Sequence, residues 1–157
     1  MMFVYRISKK SYINDLSGNG AGMYGGRWNP IGINMVYTSA SIALATLEYL
    51  VHNYHLLSTA EICLAKIEIG KPKPILKINN IDLPLGWNRQ MQLQIATQQI
   101  GKDFYLKGTD YVLKVPSTVV PGEFNLLMNP QHKHHAYTKV VEVIDPFTFD
   151  QRILDLG

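Results

Sequence analysis

Cysteine is almost missing from this chain of 157 residues, and that absence excludes a disulfide-stapled scaffold, because the single Cys63 has no internal partner. It lies in the apolar run Ile62-Cys63-Leu64-Ala65, which reads as a strand, so it is expected to pack as a small core residue and not to act as a nucleophile. Charge is sparse as well: 17% of residues are charged and the formal net charge is +3. Lys71, Lys73 and Lys77 stand among prolines and apolar residues without forming a dense cationic run, so direct nucleic-acid binding is not indicated. No stretch approaches the roughly 18 consecutive apolar residues of a membrane span. The opening Met1-Met2-Phe3-Val4-Tyr5-Arg6 lacks the basic, apolar and small-residue order of a signal peptide, and a soluble cytoplasmic protein is expected. Three chemical signatures are also missing. Gly18-Asn19-Gly20-Ala21-Gly22 has neither the spacing nor the following helix of a dinucleotide-binding G-x-G-x-x-G, no G-x-S-x-G elbow surrounds a serine, and no common zinc spacing occurs.

What is present fits one globular domain over 1–157, with 46% hydrophobic residues and no interdomain linker or repeat. Phe3, Tyr5 and Ile7 alternate as in a strand, and a loop rich in glycine and asparagine is expected over 17–34. Met35 to Thr38 reads as a second strand. Ser39 or Ser41 can cap a helix whose apolar positions are Ala43, Leu44, Leu47, Leu50, Val51 and Tyr54. Strands are expected over 61–69, 75–78, 110–115 and 137–144, and a glutamine-rich helix over 88–100 with Met91, Ile95 and Ile100 inward and Gly101 as its C-terminal cap. A polar loop is expected to carry Asn125, Asn129 and the histidines His132, His134 and His135. Strands and helices that do not strictly alternate indicate an α+β fold with a mixed sheet core and a few helices.

The segment Tyr24-Gly25-Gly26-Arg27-Trp28-Asn29-Pro30 places one cation on a backbone loosened by glycine and stopped by proline. Arginine supplies a rigid fork of donors that suits phosphate or carboxylate, although Arg27 could also form a surface ion pair. With Leu47 as the centre of the helix stripe, at about 100° per residue, Glu48 falls on its edge, in a row with His52 and His55. That carboxylate could stabilise a developing cation or remain solvated, and the row could hold a metal only with further ligands. Ser117 follows an expected strand end; without an elbow it suits hydrogen bonding better than nucleophilic attack.

Taken together, Gly26-Arg27-Trp28-Asn29-Pro30, Tyr37-Thr38-Ser39, Leu47-Glu48-Tyr49-Leu50-Val51-His52, Pro116-Ser117, Asn125-Leu126-Leu127-Met128-Asn129-Pro130 and the ending Pro146-Phe147-Thr148-Phe149-Asp150-Gln151-Arg152 resemble the RES-domain family, in order and over nearly the whole chain. The resemblance implies a fold like that of the ADP-ribosyltransferases and a bacterial toxin restrained by an Xre-type antitoxin. It implies a homodimer, and NAD as the substrate, with no metal. By the same resemblance the catalytic arginine, glutamate and serine are Arg27, Glu48 and Ser117, and Gly26, Arg27, Tyr37, Ser39, Ser117 and Asn125 bind NAD. Cleavage of the nicotinamide N-glycosidic bond, by water or phosphate, is the expected reaction. ADP-ribosylation of a protein and non-catalytic nucleotide binding are the alternatives.

Overall fold

The structure is a computed structural model that describes residues 1–56, 61–70, 74–89 and 94–155. Among the described residues, seven strands, β1 (Met2–Lys9), β2 (Val36–Ser39), β3 (Ile62–Ile69), β4 (Ile75–Lys77), β5 (Val112–Pro116), β6 (Phe124–Met128) and β7 (Thr138–Ile144), form one sheet in the order β4-β5-β6-β2-β1-β3-β7. The α-helices among the described residues are α1 (Asn19–Tyr24), α2 (Ile42–Asn53), α3 (Gln94–Lys107) and α4 (Gln151–Leu154). Only β4 and β5 pair in parallel, and the connection between them contains α3; the other neighbours are antiparallel. The sheet is therefore mixed and the class α+β, as the sequence indicates.

Alternation along the strands divides the core between the two faces of the sheet. Val4, Val36, Cys63, Ala65, Ile67, Val112, Leu126 and Met128 fill one face. On the other, Leu113, Val115 and Leu127 pack with Trp28, Trp87 and the α3 residue Phe104, while Ile7 and Leu64 pack with Ala45 of α2. Two helices thus sit on one face, α2 toward β1 and β3 and α3 toward β5 and β6. The central strand β2 passes between them.

Several elements depart from the sequence expectation. Phe124–Met128 is a strand and not part of a polar loop: it pairs with β2 and β5, so Asn125 sits in the middle of the sheet. A short helix, α1, interrupts the loop expected over 17–34, and α4 was not anticipated. The glutamine-rich helix runs on to Lys107, with Gly108 at φ 59° just beyond it. Gly101 is buried mid-helix because a Cβ there would overlap the Trp28 carbonyl oxygen. Ile95 is 80% exposed, so the inward face is Thr97, Ile100, Gly101 and Phe104; Met91 lies outside the described residues.

The stripe on α2 is also rotated from the expected one. Leu44, Ala45 and Leu50 are buried, whereas Leu47 is 42% and Val51 63% exposed. Glu48 follows Leu44 by four residues and Ala45 by three, so it lies on the packed face and not at its edge. Ser41 is the cap, accepting the Leu44 N–H at 3.1 Å.

Candidate active site

The gap between α2 and α3 is a cleft of ≈ 600 Å³, within the usual range for ligand sites. Tyr37 and Ser39 of β2 and Asn125 of β6 line its floor. Register aligns them, since Ser39 pairs with Tyr5 on one side and with Asn125 on the other. Glu48, Tyr49 and His52 come from α2, Tyr24 from the end of α1, and Gly25, Gly26 and Arg27 from the loop that follows it.

Glu48 is held by a chain of donors. Ser117 Oγ donates to Glu48 Oε1 at 2.7 Å, and Asn125 Nδ2 donates to the same oxygen at 2.5 Å. Ser39 Oγ donates to Asn125 Oδ1 at 2.8 Å, which sets the orientation of the amide. The Ser117 hydroxyl accepts the Val119 and Val120 main-chain N–H groups, both at 3.0 Å. With its proton directed at Glu48 and its oxygen receiving two N–H groups, Ser117 is arranged as a support for the carboxylate. It is 7% exposed and, unlike Pro116 and Thr118 beside it, does not line the cleft.

The Arg27 loop is built around Asn29, which is completely buried. Its Nδ2 donates to the carbonyls of Ala21 at 2.7 Å and Ile33 at 2.9 Å, and its Oδ1 accepts the Tyr37 hydroxyl at 2.6 Å. The Tyr37 oxygen in turn accepts the Trp28 N–H at 3.1 Å. Burial raises the Tyr37 phenol well above its ordinary value, and its polar atom is committed to the loop. What Tyr37 offers a ligand is its ring. Gly26 is required by the same packing, because a Cβ would lie 2.7 Å from the Tyr37 oxygen and 2.8 Å from Asn29 Oδ1. Its N–H donates to Asn29 O at 2.9 Å and its carbonyl accepts Gln98 Nε2 at 2.9 Å, so its polar groups serve the loop.

From α3, Thr97 Oγ1 donates to the Arg27 carbonyl at 2.6 Å. The Arg27 guanidinium donates through Nη1 to the Trp87 carbonyl at 2.7 Å, which anchors one arm of the fork. Burial lowers Arg27 from its ordinary value, and the charge of Glu48 opposes that shift. Trp28, 4% exposed, packs against Trp87 with ring centroids 5.8 Å apart and also contributes to the cleft wall.

Arg27 and Glu48 are therefore brought to one cleft, with Ser117 and Asn125 fixing Glu48. The sequence reading gave no role to Asn29, Thr97 or Gln98. Asn29 had a signal, an amide between an aromatic residue and a proline in a glycine-rich loop; Thr97 and Gln98 had none, because only the α3 packing brings them to the loop. His132, His134 and His135 gather around Tyr111, which belongs to the core on the other face of the sheet. Among the described residues, no group of three or more His, Cys, Asp or Glu is placed to hold a metal ion, and no helix is long and apolar enough to cross a membrane.

The model of the RES domain matches residues 3–150. The chain belongs to the RES-domain family of toxins. It is 36% identical over 156 residues to a protein named Toxin Res from Photorhabdus laumondii, covering 98% of this chain and 97% of that protein. A Toxin Res from Yersinia enterocolitica is 37% identical over 155 residues, covering 97% and 99%. A protein named Prs ADP-ribosylating toxin, from a Sphingobium species, is 37% identical over 125 residues, or 76% of this chain and 74% of that one. In fold, this RES domain is similar to a chain of the M. tuberculosis MbcT-MbcA toxin-antitoxin complex, with a TM-score of 0.78 and 19% identity over 94% of this chain and 84% of that one.

Proposed function

We propose that this RES-domain toxin consumes NAD by breaking the bond between nicotinamide N1 and ribose C1′. The observation that carries the reading is Glu48, whose Oε1 receives Ser117 and Asn125 while the residue faces a cleft that also holds Arg27. As the bond breaks, its electron pair neutralises the pyridinium nitrogen, so the leaving group needs no acid. C1′ gains oxocarbenium character, and a carboxylate held in advance stabilises that charge without reorganising. Arg27, anchored through one arm, offers its remaining donors to the pyrophosphate. The Tyr37 ring lies on the cleft floor as a stacking surface, and Ser39, Ser117 and Asn125 act by holding Glu48.

The test is to incubate the purified protein with NAD and follow nicotinamide and the ADP-ribose product by chromatography and mass, with Glu48→Gln in parallel. Release lost in the variant supports the assignment; equal release by both proteins sinks it. A second reading, transfer of ADP-ribose to a protein, is favoured by the printed name of the Sphingobium relative. It predicts nicotinamide release only when a protein acceptor is added, with a matching mass increase on that acceptor.

The same reading gives the chain an Xre-type antitoxin partner, consistent with the toxin-antitoxin complex that contains its structural neighbour. It also gives a homodimer, which light scattering of the purified protein checks.

A further inference from the structure

Glycosidic cleavage leaves one chemical requirement unassigned: an acceptor such as water must lose a proton as its oxygen joins C1′. The inference that follows rests on the glycosidic reading of the cleft. Among the described residues, the titratable side chains lining the cleft are Tyr5, Arg6, Tyr24, Arg27, Tyr37, Glu48, Tyr49 and His52. Tyrosine phenols keep their protons at neutral pH, and burial pushes Tyr37 and Tyr49 further up. The Arg6 fork is occupied by the carbonyls of Asp15, Tyr12 and Ile13, and an arginine is no base. Glu48 faces the cation that forms at C1′. His52 remains.

His52 lies one turn after Glu48 on α2, with its side chain largely in solvent at the cleft wall. Its Nδ1 is 2.7 Å from the Glu48 main-chain oxygen. A carbonyl only accepts, so Nδ1 carries the proton, and the neutral ring keeps a lone pair on Nε2. That hydrogen bond selects the tautomer and restrains the ring. Among the described residues Nε2 has no protein partner. The Glu48 Oε2 atom lies 3.9 Å from Nδ1, close enough to compensate an imidazolium if one forms.

We propose that His52 is the general base for hydrolysis in this cleft. As the water oxygen bonds to C1′ and the C1′–N1 pair leaves with nicotinamide, one water proton moves to His52 Nε2 and then to solvent. A phosphate dianion carries its own negative charge and does not need this step, so His52 is assigned to water as the acceptor. The charged groups sharing the cleft with it are Glu48 on its own helix, Arg6 on β1 and Arg27 on the facing loop, beside the phenols of Tyr5, Tyr24, Tyr37 and Tyr49.

The experiment compares the unsubstituted protein with His52→Gln, measuring nicotinamide and ADP-ribose formation across pH 5 to 9, with and without inorganic phosphate. The expected result for the variant is a fall in kcat for hydrolysis of at least about 100-fold, with KM for NAD within about twofold. The acid limb of the kcat profile should disappear, and added imidazole should restore part of the rate. Unchanged hydrolysis and an unchanged acid limb in the variant would overturn the role of His52. Nicotinamide release by the unsubstituted protein only when phosphate is present would overturn hydrolysis while leaving glycosidic cleavage standing. No release under any condition would overturn the cleavage reading and this inference together.

Discussion

Gly101 of α3 lies against the carbonyl oxygen of Trp28, so close that a Cβ on residue 101 would overlap that oxygen. The contact joins α3 to the loop that carries Arg27, beside the Thr97 and Gln98 hydrogen bonds to Arg27 and Gly26. Backbone and helix meet with no side chain between them, which a residue other than glycine would prevent.

Gly101→Ala should therefore destabilise the protein, even though alanine favours helices by about 1 kcal/mol over glycine at an ordinary interior position. The clash is with main chain, and forcing extra volume into such packing costs about 1–3 kcal/mol or more. Thermal denaturation should show a lower Tm than the unsubstituted protein. An unchanged or raised Tm would mean that α3 and the loop separate readily.

Ser117→Ala removes one of two donors to Glu48 Oε1 and leaves the Val119 and Val120 N–H groups without their acceptor. On the proposed reading, kcat for NAD cleavage should fall by about tenfold or more, with KM changed less, because Ser117 does not line the cleft. A variant that lost binding but kept kcat would place Ser117 against the substrate instead.

Arg27→Lys keeps the charge and loses the planar fork. One arm of that fork binds the Trp87 carbonyl, so a lysine cannot both keep this anchor and meet a pyrophosphate with paired donors. KM for NAD should rise about tenfold or more, while the thermal midpoint changes little. An unaltered KM would remove Arg27 from the binding of phosphate.

The pH dependence of stability should reveal His135. Its Nε2 donates to the Leu16 carbonyl at 2.9 Å, and its Nδ1, 2.9 Å from the Tyr111 oxygen, accepts the phenol proton when the ring is neutral. Burial lowers the His135 imidazolium below its ordinary value, and burial lowers His132 likewise. The unfolded chain then binds more protons than the folded one as pH falls. The stability from the neutral rings is complete above the unfolded value of about 6.5 and is lost as pH drops from there through the folded values. Denaturant midpoints should decline between about pH 7 and 5, and His135→Gln should flatten that decline. The aspartates whose values are lowered, Asp15, Asp145 and Asp150, contribute to losses below about pH 4, outside this window.

Most strands and the helix over 42–53 were legible because alternation and capping act between residues near one another in the chain. Ser41 caps the helix that the sequence starts there, and the apolar runs at 62–69 and 138–144 became strands. The candidate chemistry was legible through the Arg27 segment and the order of motifs that resembles the RES family. Phe124–Met128 was not, since its asparagine and the neighbouring polar residues give a loop signal. It becomes a strand because β2 and β5 supply hydrogen bonds on both sides.

By itself, then, the sequence determined the mixed α+β class, the absence of disulfides and the presence of an arginine on a glycine-rich turn. These follow from local periodicity and composition. Tertiary structure decided which face of α2 points inward, and with it that Glu48 meets Ser117 and Asn125, residues 69 and 77 positions away. It also decided that Gly101 is a contact and not a cap, and that the polar groups of Tyr37 and Gly26 hold the loop. Each depends on where elements distant in the chain pack, and local spacing carries no information about that.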